Sequence, residues 1–394
     1  MKLRAGKPLI IIMLLAVLAT LLGIYKFSPC AGNGWATPAQ YVHACYSDIP
    51  ALYGARALDK DQWSYSSPTD AVEYPVITGA IMYILALATT PSDNEILNYY
   101  KINIGFLAIL FIIIAIIVYK IRPQFAYLAT LAPASIASLY INWDLWAIVS
   151  MMLSIYWFDR KKYKCSAVAI GISISTKFLP IFLLLPIVLI LWRHKQIKEI
   201  LRYITITFIT FTTINLPVLL TTPKGWLRFY ELNFDRGPDW GSLWYAASSL
   251  GINVGNANIS AILALFLSVI IVTIVISLTK EIITLADINF IVLGLVMMAS
   301  KVYSPQYVLW LVPLAVIAIN HRKELHAFWI WQVGEVIYHI AIWQHLATVT
   351  GATYGLPLGP YSVITLIRVL ACGYLIAVLI NSKFRKASTE ITSV

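Results

Sequence analysis

Charge is scarce in this chain. Only 12% of its 394 residues are Asp, Glu, Lys or Arg, while 60% are apolar and the mean hydropathy is +0.78. That balance excludes a soluble globular enzyme. Acids are the scarcer sign, 18 against 29 Lys and Arg. With four cysteines, six histidines and no ligand spacing among them, no metal site is signalled. Heptads, low-complexity tracts, Ser/Thr/Gly-rich linkers, repeats and a separate soluble domain are also missing, so coiled coils and repeat architectures fall away. What is abundant is aromatic: 13 Trp, 23 Tyr and 15 Phe, side chains suited to membrane interfaces. The composition defines an all-α multi-span membrane protein, one integral domain over residues 1–394.

The net charge of +11 would suggest a nucleic-acid partner in a soluble protein. Here the basic residues lie between apolar runs, the pattern of cytoplasmic loops, and no nucleic acid is implied. The first run, about Pro8 to Tyr25, follows Lys2, Arg4 and Lys7. The residues after it, Phe27 to Gly32, offer no small-x-small cleavage site, which predicts an uncleaved first helix. Further basic clusters are Lys120/Arg122, Arg160 to Lys164, Arg193 to Lys198 with Arg202, Lys280, His321 to Lys323 and Lys383 to Lys386. Placing all of them inside makes Pro75 to Thr90 a re-entrant or interfacial helix of the first outer loop. It also splits Cys165 to Trp192 into two short helices with Lys177 near the outer turn. The other spans fall near Ile102 to Tyr119, Gln124 to Ile141, Asp144 to Phe158, Tyr203 to Leu220, Ile259 to Leu278, Ile283 to Ser300, Tyr307 to Asn320, Phe328 to Leu346 and Tyr361 to Ile380. The total is about twelve with both termini cytoplasmic. Outer loops 28–100 and 221–258 then form the candidate active-site face, because long loops in a compact membrane protein are usually functional.

Cys30 and Cys45 share the first outer loop, where an oxidising compartment permits a disulfide; two free thiols are the alternative. Asp48, in the same loop, is followed by an apolar-aromatic stretch. A carboxylate at that boundary is either a partly desolvated general base or the cap of a helix beginning at Pro50. Lys177 lies in an apolar run and must face a polar cavity or snorkel to the interface. Glu335 and His339, one turn apart in an apolar span, read as an internal hydrogen-bonded pair in preference to a proton path.

Asp48-Ile49-Pro50-x-x-Tyr53, followed by Glu73-Tyr74-Pro75, resembles glycosyltransferase family 87, multi-span enzymes of the GT-C superfamily typified by polyprenol-phosphate-mannose-dependent mannosyltransferases of actinobacteria. Ile141-Asn142-Trp143-Asp144, Thr176 to Pro180, Asp239 to Tyr245 and Tyr303 to Tyr307 continue the likeness in order along nearly the whole chain. The resemblance implies a GT-C-type helical bundle. It also implies inverting transfer of a sugar from a polyprenyl-phosphate carrier to a lipid or glycan hydroxyl outside the cell membrane, without a cofactor. In the family the first-loop aspartate is the base, a role that maps onto Asp48.

The remaining roles follow from that implied reaction. Lys177 and Arg236 are candidates to meet the carrier phosphate, and Glu73, Tyr74 and Gln306 to complete the donor site. Asp144, Asp239 and Trp240 are candidate sugar or acceptor contacts. Arg236 can equally pair with Asp235 or Asp239, Asp144 can equally cap a helix, and Trp240, Trp244, Tyr74 and Tyr307 equally suit an interface belt. Where the mannosyltransferase branch carries histidines after the Gln306 region, this chain has Trp310 and Leu311, which leaves sugar and acceptor open. A transporter or flippase of a lipid-linked precursor is the alternative, though it predicts repeated halves that the sequence lacks. A non-catalytic scaffold is a third reading, one that would tolerate loss of Asp48.

Overall fold

The structure, a computed structural model, describes residues 7–67, 69–279 and 283–389, with side chains through Ser382. Lys2, Arg4 and Lys280 lie outside these residues, as do the side chains of Lys383 to Lys386. The described elements are all helical. Five of the described helices are long and apolar enough to cross a bilayer: Lys7–Asn33, Glu95–Ile121, Ile197–Thr221, Ala257–Leu278 and Leu358–Ser382. Shorter apolar helices of 10–17 residues include Val76–Leu87, Asp144–Phe158, Leu285–Ala299 and Pro305–Ala318. The all-α, multi-span reading stands.

Local chemistry sets the helix ends. The first helix runs past Tyr25 to Asn33, which brings Cys30 onto its last turns, where it is disulfide-bonded to Cys45. Val76–Leu87 has 12 residues, about 18 Å of helix, too short to cross a hydrocarbon core of roughly 30 Å. Gln124 to Ile141, expected as one span, is divided into Ala126–Leu131 and Pro133–Ser138. The cause is Pro133, which pushes Ala132 into an extended conformation with ψ 111° and cannot donate to the helix before it. The long apolar run around Lys177 breaks as expected. Tyr163–Thr176 ends with Lys177 extended at φ −146°, ψ 134°, and a 3-10 turn, Leu179–Leu183, leads into Leu184–Arg193.

Arg322–Val349 is one helix of 28 residues but is absent from the five apolar ones. Its buried face carries Gln332, Glu335, His339 and His345, and such groups need internal partners at membrane depth. Glu335 takes its ion-pair partner from another helix, Arg368, in place of the expected pairing with His339. The His339 ring accepts a hydrogen bond from the Trp343 indole.

The chain forms two compact units: 1–117, 138–181 and 201–236, and 118–137, 182–200 and 237–394. In the first, the Asp144 and Tyr163 helices pack side by side, joined by buried hydroxyls of Ser154, Ser166 and Tyr203. The Trp143 indole donates to Asn103 at 2.7 Å. The Tyr140 hydroxyl donates to the Thr20 carbonyl at 3.1 Å. In the second, Arg122 donates to the Ile317 carbonyl at 3.0 Å, and Arg193 to that of Ile276 at 2.7 Å. Arginines thereby satisfy helix carbonyls near C-terminal ends, which lack partners of their own.

Gly225, in the helix Pro223–Asp235, lies so close to the backbone of Tyr65 that a Cβ would overlap the Tyr65 carbonyl oxygen, whereas nothing approaches Gly105. Gly225→Ala should therefore cost about 1–3 kcal/mol, read as a lowered Tm in detergent. Gly105→Ala, in an open helix position, should leave Tm unchanged or raise it.

Candidate functional site

In the first unit, Ser47 is extended at φ −143°, ψ 136°, and its hydroxyl accepts from the Ile49 N–H, so Ser47 caps the helix Asp48–Ala55. The capping alternative for Asp48 is thereby removed: the helix begins one residue after Ser47, with Pro50 in the first turn, where proline is tolerated. The Ser47 hydroxyl also donates to the Tyr140 carbonyl at 2.7 Å, and the Asp48 N–H to that of Ile141 at 2.7 Å. These bonds seat the turn on the segment just before the Asp144 helix.

The Asp48 carboxylate is thus released for other partners. Tyr46 donates to Oδ1 at 2.9 Å and Asn142 to Oδ2 at 3.4 Å. Extended backbone at Ser47 explains the first contact, because residues two apart on such a segment share a face. Burial pushes Asp48 up to about 6, against the lowering by the Tyr46 hydrogen bond, the Lys177 ammonium and Asn142, with Asp144 pushing up again. A carboxyl that titrates there is ionised at neutral pH yet remains an effective proton acceptor.

Lys177 stands at the helix break, its ammonium 3.0 Å from Asp144 and 4.1 Å from the centre of the Tyr74 ring. Asp144 is completely buried and pairs with Lys177, so here its carboxylate offers no surface to a sugar. The backbone N–H of Asp144 is capped by the Asn142 side-chain oxygen at 3.0 Å. Asn142 therefore touches both acids, one through each side-chain atom. The edge of Tyr74 meets Trp143, centroids 5.8 Å apart. Asp48, Tyr74, Asp144 and Lys177 are thus brought together.

Glu73 has a different partner. Both its carboxylate oxygens are held by the Arg56 guanidinium, one of them at 2.7 Å, which ties the end of the Asp48 helix to the start of the Val76 helix. Arg236 is the C-cap residue of Pro223–Asp235, with its N–H on the Leu232 carbonyl at 3.0 Å.

The other candidates belong to the second unit. Asp239 accepts from the Ser304 hydroxyl at 3.2 Å and from the Trp240 N–H at 2.9 Å, and its own N–H donates to the Lys301 carbonyl at 2.8 Å. Trp240 contacts Tyr245 and His345, centroids 5.1 and 5.3 Å away. Gln306 is buried, and its side-chain oxygen has no hydrogen-bond partner among the described residues. Beneath this loop lies Arg368, fully buried between the rings of Tyr303 and Tyr338. It is paired with Glu335 at 2.9 Å and donates to the Tyr303 and Ser304 carbonyls at 2.6 and 3.1 Å. A guanidinium so placed holds the backbone at Tyr303 and Ser304.

Sequence reasoning gave no role to Tyr46, Arg56, Ser47 or Arg368. A serine directly before Asp-x-Pro is a cap signal, and Arg368 is a charge inside an apolar span, a feature that calls for a buried partner.

No family model and no curated protein matches the chain. Among solved structures it is similar to ArnT from Cupriavidus metallidurans bound to undecaprenyl phosphate, at 12% identity and a TM-score of 0.45, covering 95% of this chain and 78% of that one.

Removing one partner of the Lys177–Asp144 pair leaves a buried charge alone. Lys177→Met should cost about 3–5 kcal/mol, and adding Asp144→Asn should return most of it. Thermal unfolding of the two single variants and the double variant reads this coupling.

Proposed function

We propose that the chain is a membrane glycosyltransferase of GT-C type. It moves a sugar, with mannose the first candidate, from a polyprenyl-phosphate carrier to a hydroxyl of a cell-envelope glycolipid or glycan, with inversion. The observation that carries this reading is the Asp48 carboxylate: released from capping by Ser47, oriented by Tyr46 and Asn142, raised by burial to about 6, and sharing its surroundings with the Lys177 ammonium. The ordered motifs that resemble glycosyltransferase family 87 support the same assignment. Both termini are cytoplasmic and the site faces outward in this reading, as the distribution of basic residues argues.

The reaction needs a base on one side of the anomeric carbon and stabilisation of the leaving group on the other. Asp48 takes the proton of the acceptor hydroxyl as its oxygen bonds to the anomeric carbon, and the bond from that carbon to the phosphate oxygen breaks. The leaving polyprenyl phosphate gains one negative charge. Lys177 meets that charge: an ammonium has three donors, and Asp144 occupies one side of it. Asp144 holds the lysine in place and Tyr74 covers it.

Purified protein in liposomes, given labelled polyprenol-phosphate-mannose and a membrane lipid extract, should transfer sugar. Asp48→Asn should lower the rate by about 10²–10⁴ with donor binding kept. Because the base acts ionised, the wild-type rate should climb as pH rises through about 6 and then level off. Movement of lipid-linked sugar between leaflets with no transfer would favour the transporter.

A further inference from the structure

Each of the four residues from Cys45 to Asp48 has a distinct attachment. Cys45 is bonded to Cys30 on the first helix. Tyr46 stacks on Tyr41, centroids 5.6 Å apart and planes 20° apart, and donates to Asp48. Ser47 and the Asp48 backbone hang on the carbonyls of Tyr140 and Ile141. The backbone around the base is therefore fixed independently of the phenol, which leaves Tyr46 to act on the carboxylate itself.

We propose that Tyr46 is a positioning residue for the transfer reaction, its hydroxyl holding Oδ1 of Asp48 so that a defined lone pair of the carboxylate meets the acceptor proton. This rests on the reading of Asp48 as the base. Of the two hydrogen bonds on the carboxylate, the phenol's is the shorter, 2.9 Å against 3.4 Å. Asn142 reaches the other oxygen, Oδ2, through its amide nitrogen, while its own oxygen takes the Asp144 N–H. The groups that bear on Asp48 are Tyr46 from its own segment, Asn142 and Asp144 from the following helix start, and Lys177 from the helix break. Tyr41, Tyr74 and Glu73 share the field around this pair. The Asp48 charge and burial hold the Tyr46 phenol protonated, well above the ordinary tyrosine value. It therefore remains a donor across the working range, and Asp48 is the member of the pair that titrates.

A donor on the ionised form favours that form, so removing it moves the titration of the base upward. In the liposome assay, the pH profile of kcat should keep its shape in Tyr46→Phe while its acid midpoint moves up by about one unit. Transfer at pH 6 would then fall about fivefold further than transfer at pH 8.5, where only the lost orientation tells, and the donor KM would stay within about twofold. Replacement of Tyr46 by 3-fluorotyrosine, a stronger donor of nearly the same shape, should move the midpoint down and keeps the test decisive if Tyr46→Phe fails to fold. An unmoved midpoint in the fluorinated protein, or an equal loss at every pH in Tyr46→Phe, would overturn the proposal while leaving Asp48 as base. Full transfer by Asp48→Asn would overturn the reading of the base instead.

Discussion

The need to neutralise the buried Asp144 shapes the candidate site. A carboxylate with no exposure in a chain this apolar must have a counter-charge, and Lys177 supplies it from 3.0 Å away. To reach it, the lysine leaves its helix: the backbone turns extended at Lys177, and the apolar run that contains it yields two short pieces instead of one span. Around the pair, the Tyr74 ring covers the ammonium and Asn142 bridges from the Asp144 backbone to Asp48. The field of the pair also reaches Asp48, the lysine lowering its pKa and the aspartate raising it. The ion pair therefore also adjusts the proton affinity of the candidate base, which burial raises most.

Arg368 and Glu335 repeat the logic in the second unit with a different result. Both are buried, and the guanidinium spends its donors on one carboxylate and two backbone carbonyls. A planar fork with five donors suits that task, which lysine would not match. The outcome is a backbone anchored at Tyr303 and Ser304, with the Ser304 hydroxyl fastened to Asp239. One pair leaves its cation beside a carboxylate; the other buries its cation as a backbone clamp.

Much of this was legible in the sequence because membrane chains advertise their constraints. Hydropathy placed most helices, and the basic residues flanking the run from Cys165 to Trp192 required a break, which falls at Lys177 itself. Pro133 marks the division at Ala132 in the sequence too, because the residue before a proline is pushed out of the helical conformation. What could not be read was partnership. Glu335 and His339 lie one turn apart, yet Glu335 is matched by Arg368 on another helix, because a helix face says which way a group points and not what it meets. Ser47 was hidden behind Asp48, since both residue types cap helices equally well. Glu73 carries the same ambiguity: a loop acid and an arginine seventeen positions before it, Arg56, show their bond only once two helix ends are folded together.

The hydrogen bond from Ser47 to Tyr140 spans 93 positions, and the cation beside Asp48 arrives later still, at Lys177. The ribosome adds roughly 5–20 residues per second, so the segment around Ser47 waits on the order of ten seconds before the residues it binds have been made. In that interval the Cys30–Cys45 bond, joining residues only 15 apart, can already tether the segment to the first helix. A chain arrested before Lys177 would carry Asp144 into the bilayer with no counter-charge.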